Sequence, residues 1–115
     1  MLARKLRRAA AESAVAIEKF LAVAHDTSPR ITIYGQDVDT FTKLANPATL
    51  PPSTGNGVAF SADGTYMAVA HATSPFVTIY KRSGDTFTKL ANPATLPTNF
   101  GYGVAFYPRA FEGPI

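Results

Sequence analysis

Two imidazoles are the side chains whose placement could repeat a chemistry. His25 and His71 stand 46 residues apart, each closing an Ala-Val-Ala-His run and each followed one residue later by Thr-Ser-Pro. A histidine in a repeated position has two uses. It can be a structural group satisfied by the Thr-Ser turn that follows, or one member of a ring of imidazoles that binds a metal or an anion. Little else here is reactive. There is no cysteine, which removes disulfide scaffolds and thiolate zinc sites. The eight acids are scattered and form no evident cage. Asp63 and Asp85 sit beside glycines and read as turn residues. The glycines of Gly55-x-Gly57 and Gly101-x-Gly103 lack the strand-to-helix context of a phosphate loop. No Ser-His-Asp set can be assembled. The expectation is a protein without catalytic residues, cofactor or metal, hence not an enzyme.

The elements that would position these residues are short strands. The chain has 115 residues, 46% hydrophobic and 17% charged, with nine prolines and eight glycines. That composition excludes a disordered tail and points to many turns. The net charge of +3 is uneven. Residues 1–19 hold Arg4, Lys5, Arg7, Arg8 and Lys19 against Glu12 and Glu18, while residues 20–115 balance six basic against six acidic groups. The main body is neutral, so a nucleic-acid partner is not expected.

An internal repeat organises the body. AVAHDTSPRITIY at 22–34 returns as AVAHATSPFVTIY at 68–80, DTFTKLANPATLP at 39–51 returns unchanged at 85–97, and GNGVAF at 55–60 returns as GYGVAF at 101–106. Aligning 20–61 on 66–107 gives 28 identities in 42 positions. Each unit reads as four strands. Val58 to Phe60 is followed by an Asp63-Gly64 turn, where glycine supplies the positive φ of a tight hairpin. Tyr66 to His71 is the second strand, Phe76 to Tyr80 the third and Thr86 to Leu90 the fourth. Pro93 and Pro97 keep the next loop out of the sheet.

Four antiparallel strands per repeat of ~40–45 residues mark a propeller blade. The stretch GVAFSADGTYMAVAH, followed by VTIYKRSGDTFTKL, resembles the WD-type β-propeller repeats of bacterial and phage proteins. The resemblance covers 20–107. The phrase Phe-Ser-x-Asp-Gly-x-Tyr falls between the first two strands, and Ile79-Tyr80 stands near the place of the Trp-Asp pair.

The ends of the repeat array matter most. With strands a to d counted from the ring axis, the chain starts at b (Phe20 to His25), runs c-d-a-b-c-d and stops with a lone a (Tyr102 to Phe106). One sheet lacks its first strand and one strand lacks its sheet. Such edges are open to pairing. The predicted fold is therefore all-β, with two β-propeller blades per chain closing into a ring by oligomerisation with intermolecular strand exchange, plus an N-terminal α-helix. Phe20, Leu21, Val23, Tyr102, Val104 and Phe106 form the expected subunit interface. Blades number twice the chains, so the typical range of about four to eight admits dimer, trimer and tetramer. Six blades from a homotrimer are preferred, then eight from a tetramer.

Residues 1–19 read as a basic amphipathic helix, free of glycine and proline, with Leu2, Leu6 and Ile17 on a narrow apolar stripe. It serves as the expected anchor and oligomerisation segment. Arg4, Lys5, Arg7 and Arg8 are either a solvated face or a docking site for an acidic protein, nucleic acid or anionic lipid. Glu12 and Glu18 interrupt any apolar run suited to a signal peptide or membrane span. Residues 20–107 hold the two blades and 108–115 form a tail.

Two functions fit. The first is a non-enzymatic assembly protein, a phage virion component such as a fibre, tail or head decoration protein, docking another structural protein through its helix. Its location is then virion or cytoplasm. The second is a lectin-like oligomeric propeller with glycan as partner. The ligand face would hold His25, His71, Asn56, Asn99, Phe100 and Tyr102, because the loops that differ between copies meet there.

Overall fold

A computed structural model of the chain describes residues 19–107. They are all-β, with two antiparallel sheets. The first sheet holds β1 (Phe20–Ala24), β2 (Ile31–Asp37) and β3 (Thr40–Lys43) in that order. The second holds β4 (Gly55–Phe60), β5 (Tyr66–His71), β6 (Val77–Ser83) and β7 (Thr86–Lys89), also in chain order. The predicted helix lies outside the described residues except for Lys19, whose carbonyl accepts the Gln36 N–H at 2.9 Å. The tail 108–115 also lies outside them.

The two copies share one register. Ala22 faces Ile33 as Ala68 faces Ile79, and Tyr34 faces Lys43 as Tyr80 faces Lys89. The turns repeat as well. The Arg30 N–H donates to Thr27 and the Phe76 N–H to Thr73, both at 2.7 Å. Several strand bounds differ from expectation: β1 ends at Ala24, β4 starts at Gly55, β7 ends at Lys89, and among the described residues 102–106 form no strand. The third strand of the second copy starts at Val77, because Phe76 takes φ 70° and leaves the extended region. It runs on to Ser83, because the Arg82 N–H still donates to Thr65 at 2.7 Å. The Arg82 guanidinium then donates to Gly64 and Gly84, both at 2.8 Å, and lies 4.8 Å from the Phe20 ring centre. One side chain thus ties two hairpin turns to the neighbouring sheet.

The Asp63-Gly64 turn forms as its residue types require. Gly64 sits at φ 76°. The Asp63 carboxylate accepts the Thr65 N–H and the Ser61 hydroxyl, each at 2.9 Å. The Thr65 contact above all holds its pKa below the ordinary carboxylate value.

Alternation along the strands gives each sheet two apolar faces. In the first sheet, Phe20, Ala22, Ala24, Ile31 and Ile33 share one face, and Leu21, Val23, Tyr34 and Phe41 the other. In the second, Met67, Val69, Tyr80 and Phe87 share the face that corresponds to Leu21, Val23, Tyr34 and Phe41. The core is the contact of the first set with the last: Ile31, Ile33, Met67, Val69, Tyr80 and Phe87 form one buried cluster. Phe20, Phe60 and Phe87 close its edge, with ring centres 5.7 to 6.1 Å apart. The opposite face of the first sheet is open, with Leu21, Val23 and Phe41 each 44–47% exposed where their counterparts Met67, Val69 and Phe87 are at most 3%.

Val38 is a local misfit. It sits at φ 57° and occupies the place of Gly84, at φ 61°. A β-branched residue there is strained by about 1–2 kcal/mol, and glycine returns about 0.5–1 kcal/mol of that through chain entropy. The variant V38G is expected to gain up to about 1.5 kcal/mol of unfolding free energy in a urea titration, the difference of those two terms. A loss would show that Val38 is held by contacts outside the turn.

Candidate functional site

The turns β1–β2 and β5–β6 lie at one end of the sheets, and the histidines define how they are held. His71 is fully buried. Its Nδ1 lies 2.9 Å from the Thr73 carbonyl, which can only accept, so Nδ1 carries the proton. Nε2 then accepts from the Thr78 hydroxyl at 2.7 Å. Burial holds the His71 pKa below its ordinary 6.5, opposed by backbone hydrogen bonds to Thr73 and Val77. His25 repeats the second contact, its Nε2 2.8 Å from Thr32 Oγ1. The imidazoles therefore pin one strand of each hairpin to the next. Both ring nitrogens of His71 are engaged. Among the described residues, no three of the His, Asp and Glu side chains gather into a cluster that could hold a metal.

Above these histidines the chain makes its tightest backbone crossings. A Cβ on Gly55 would lie 2.5 Å from the Arg30 carbonyl oxygen, and one on Gly101 would lie 2.6 Å from that of Phe76. Glycine alone allows the loop leaving one sheet to pass this close to the turn beside it. The Gly55 and Gly101 N–H groups donate to His25 and His71 carbonyls, both at 3.0 Å. Two equivalent sites result, on one backbone plan.

Their side chains are opposite in character. At the first site, the Arg30 guanidinium donates to the Asp26 carbonyl, and the Thr54 hydroxyl donates to the Asp26 carboxylate at 2.6 Å. Asn56 donates to Gly101 at 2.8 Å. At the second, the same four positions are Ala72, Phe76, Phe100 and Tyr102. Phe100 lies between the other two rings, 6.4 Å from Phe76 and 6.2 Å from Tyr102. Phe100 is 51% and Tyr102 75% exposed. The Phe100 N–H donates to Asn99 Oδ1 at 2.7 Å.

Of the residues expected on the ligand face, the structure brings Asn99, Phe100 and Tyr102 together, sets Asn56 beside Gly101, buries His71 with both ring nitrogens bonded, and leaves His25 half-buried with Nε2 against Thr32. Phe76, Arg30 and Asp26 were missing from that expectation. The signal for them is the joint change of residue type at four equivalent positions. Of the expected interface residues, Phe20 packs into the core edge, Leu21 and Val23 are exposed, and Val104 and Phe106 are half-buried. Among the described residues, 102–106 join no sheet. Leu2, Arg4, Lys5, Leu6, Arg7, Arg8 and Ile17 lie outside the described residues. A cleft of about 170 Å³ separates the loop 45–49 from β7, with Asn46, Asp85 and Lys89 on its walls. Tyr80, its phenol pushed far above the ordinary pKa by burial, donates to Thr49 at 2.8 Å and holds that loop in place.

No protein-family model, curated protein or solved structure matches the chain.

His71 gives the fold a pH dependence whose sign is determined. The folded state keeps it neutral while the unfolded chain protonates it near 6.5. The folded state therefore binds fewer protons in that window. Its contribution is whole above pH 6.5 and is lost as pH falls from there to the lowered folded value. Urea midpoints measured across that range should fall with pH in the wild type. They should fall less steeply in H71Q, which also loses about 1–3 kcal/mol at neutral pH from unmet buried partners. Equal slopes would remove His71 as the cause.

Proposed function

We propose that the chain is a non-enzymatic assembly protein, a WD-type β-propeller built from several copies. Each copy lends residues 102–106 to the next as the innermost strand of its first blade. What supports this reading is a correspondence of faces. Within one chain, the Ala22, Ile31 and Ile33 face covers the Met67, Val69 and Tyr80 face. The two faces that make no such contact within the chain are their equivalents in sequence: Ala68, Val77 and Ile79 on the second sheet, the first buried and the others half-buried, and Leu21, Val23 and Tyr34 on the first. A second copy placed head to tail repeats a contact the chain already makes.

The glycines near the strand starts agree. A Cβ on Gly57 would meet the Gly103 Cα at 3.1 Å and the Tyr102 carbonyl oxygen at 3.3 Å, whereas a Cβ on Gly103 meets nothing within 4 Å. Gly103 occupies a position that demands closeness without the neighbour that demands it. In the assembly, Gly57 of the next copy is that neighbour. The edge trio of Phe20, Phe60 and Phe87 recurs as Tyr66 and Phe106 of one copy with Phe41 of the next. Such a contact is heterologous and saturates by closing a ring. A trimer with six blades is preferred, a tetramer with eight the next choice. By the resemblance to phage repeats, the role is a virion component attached through the basic segment 1–19 to another structural protein.

Native mass spectrometry tests the reading. The expected mass is a multiple of the 12.2 kDa chain, three being preferred. G103A, harmless to a lone chain, should weaken association at least tenfold, and deletion of 102–115 should abolish it. A folded single copy at micromolar concentration, or a G103A protein that assembles like the wild type, sinks the proposal.

A further inference from the structure

We infer that Phe76, Phe100 and Tyr102 form a binding site for one neutral saccharide ring in each chain. The inference starts from the joint exchange of four residues on an unchanged backbone. In the first copy Arg30 donates to the Asp26 carbonyl, Thr54 to the Asp26 carboxylate, and Asn56 to the Gly101 carbonyl. In the second, Ala72, Phe76, Phe100 and Tyr102 replace them, yet the turn hydrogen bonds and the glycine crossings are kept. Folding gives no reason for the aromatic set, because the polar set supports the same backbone. The turn holds Arg30 and Phe76 alike in the left-handed region, at φ 73° and 70°, and in the second copy that conformation sets a phenyl ring against Phe100.

Phe100 adjoins both other rings, and Phe100 and Tyr102 are exposed while Phe76 is half-buried. The adjoining pairs are inclined at 47° and 74°, which makes a stepped platform. Further assembly leaves it open. Asn56, the counterpart of Tyr102, remains exposed although the segment that follows it in the repeat already lies beside it. The site belongs to one chain and does not depend on the assembly reading.

The chemistry of the exchange selects the ligand. It removes a carboxylate and a guanidinium, so a charged group or a phosphate finds no counter-ion. A nucleobase would also stack, but single-stranded nucleic acid needs basic groups along its backbone, and the position of Arg30 is now Phe76. An apolar peptide needs a groove with a continuous apolar wall, whereas these adjoining rings are inclined at 47° and 74° and have polar neighbours. Thr73 and Ser53 hydrogen-bond beside it, the Thr73 N–H and hydroxyl each 3.1 Å from Ser53 Oγ, and Asn99 and the Tyr102 hydroxyl stand at its rim. A sugar combines what is left. Its weakly positive C–H face stacks on the electron-rich face of an aromatic ring, and its hydroxyls meet the amide and hydroxyl groups around it.

The test is titration of the full chain with uncharged saccharides, read by saturation-transfer NMR and calorimetry. The probes are the methyl glycosides of glucose, galactose, mannose and N-acetylglucosamine, with lactose and cellobiose. At least one should bind with a dissociation constant below about 10 mM, a free energy within reach of a single sugar ring, at one site per chain. F100T and Y102N restore first-copy residues that this backbone already accepts. Each should weaken binding tenfold or more, and F100T, which lies outside the lent strand, should leave the native mass unchanged. The converse variant D26A/R30F/T54F/N56Y should raise the stoichiometry to two per chain. Silence across the whole panel, binding unaffected by F100T and Y102N, or selection of apolar peptides in place of sugars by the wild type and not by F100T would each overturn the inference. None of these outcomes bears on whether G103A blocks assembly.

Discussion

The structure depends on a sheet that is apolar on both faces. An antiparallel sheet in a small protein commonly buries one face and wets the other. Here the alternation puts Ala22, Ile31 and Ile33 on one side and Leu21, Val23 and Tyr34 on the other, and the second copy repeats the pattern. Each sheet therefore needs a neighbour on both sides. Two copies in one chain create one such contact and leave its two halves at the ends. What is distinctive among the described residues follows from that count: the buried cluster, the exposed Leu21, Val23 and Phe41, and the segment 102–106 that joins no sheet there.

Much of this was legible in residue spacing, and the illegible part has definite causes. The repeat located the strands, because β-branched and aromatic runs between Asp-Gly and Ser-Pro turns have few other conformations open to them. It could not say which face a neighbour covers. Leu21 and Met67 are equivalent by sequence, yet one is 45% exposed and the other fully buried. That difference arises from position in the array, which no local pattern encodes. Phe76 shows a second limit. Its type suits a strand, so it reads as the first residue of one. The turn instead holds it in the left-handed region and aims its ring at Phe100. The histidines were open between a structural and a ligand-binding role. Hydrogen bonding on both sides of the His71 ring decides for the former at that residue, and it took the geometry of Thr73 and Thr78 to show it.

The repeat also separates what the backbone requires from what it permits. Gly55 and Gly101 are required, because a Cβ at either meets a carbonyl oxygen at 2.5–2.6 Å. Thr32 and Thr78 are required to meet an imidazole. Positions 26, 30, 54 and 56 are permitted, since their equivalents carry side chains of opposite polarity on the same turn. Change confined to permitted positions leaves stability nearly untouched, which is why a scaffold can carry two different surfaces at equivalent places. Val38 opposite Gly84 belongs to neither group. It is tolerated at a cost, in a hairpin turn where it is 76% exposed.

Under the proposed assembly, heterologous contact explains why the two ends of one chain need not resemble each other. A two-fold dimer would set like against like, the Leu21 and Val23 face against itself, and would leave the second sheet's Val77 and Ile79 face open. Head-to-tail contact instead uses both ends and preserves the internal geometry at every junction. It also resolves the edge of β1, whose outer backbone groups would otherwise invite unplanned pairing. An open chain of copies would still carry one bare β1 edge and one unplaced 102–106 segment, whatever its length. Only closure removes both, so the last contact formed satisfies two ends at once, and a closed ring gains over an open stack by one full interface without ordering a further copy.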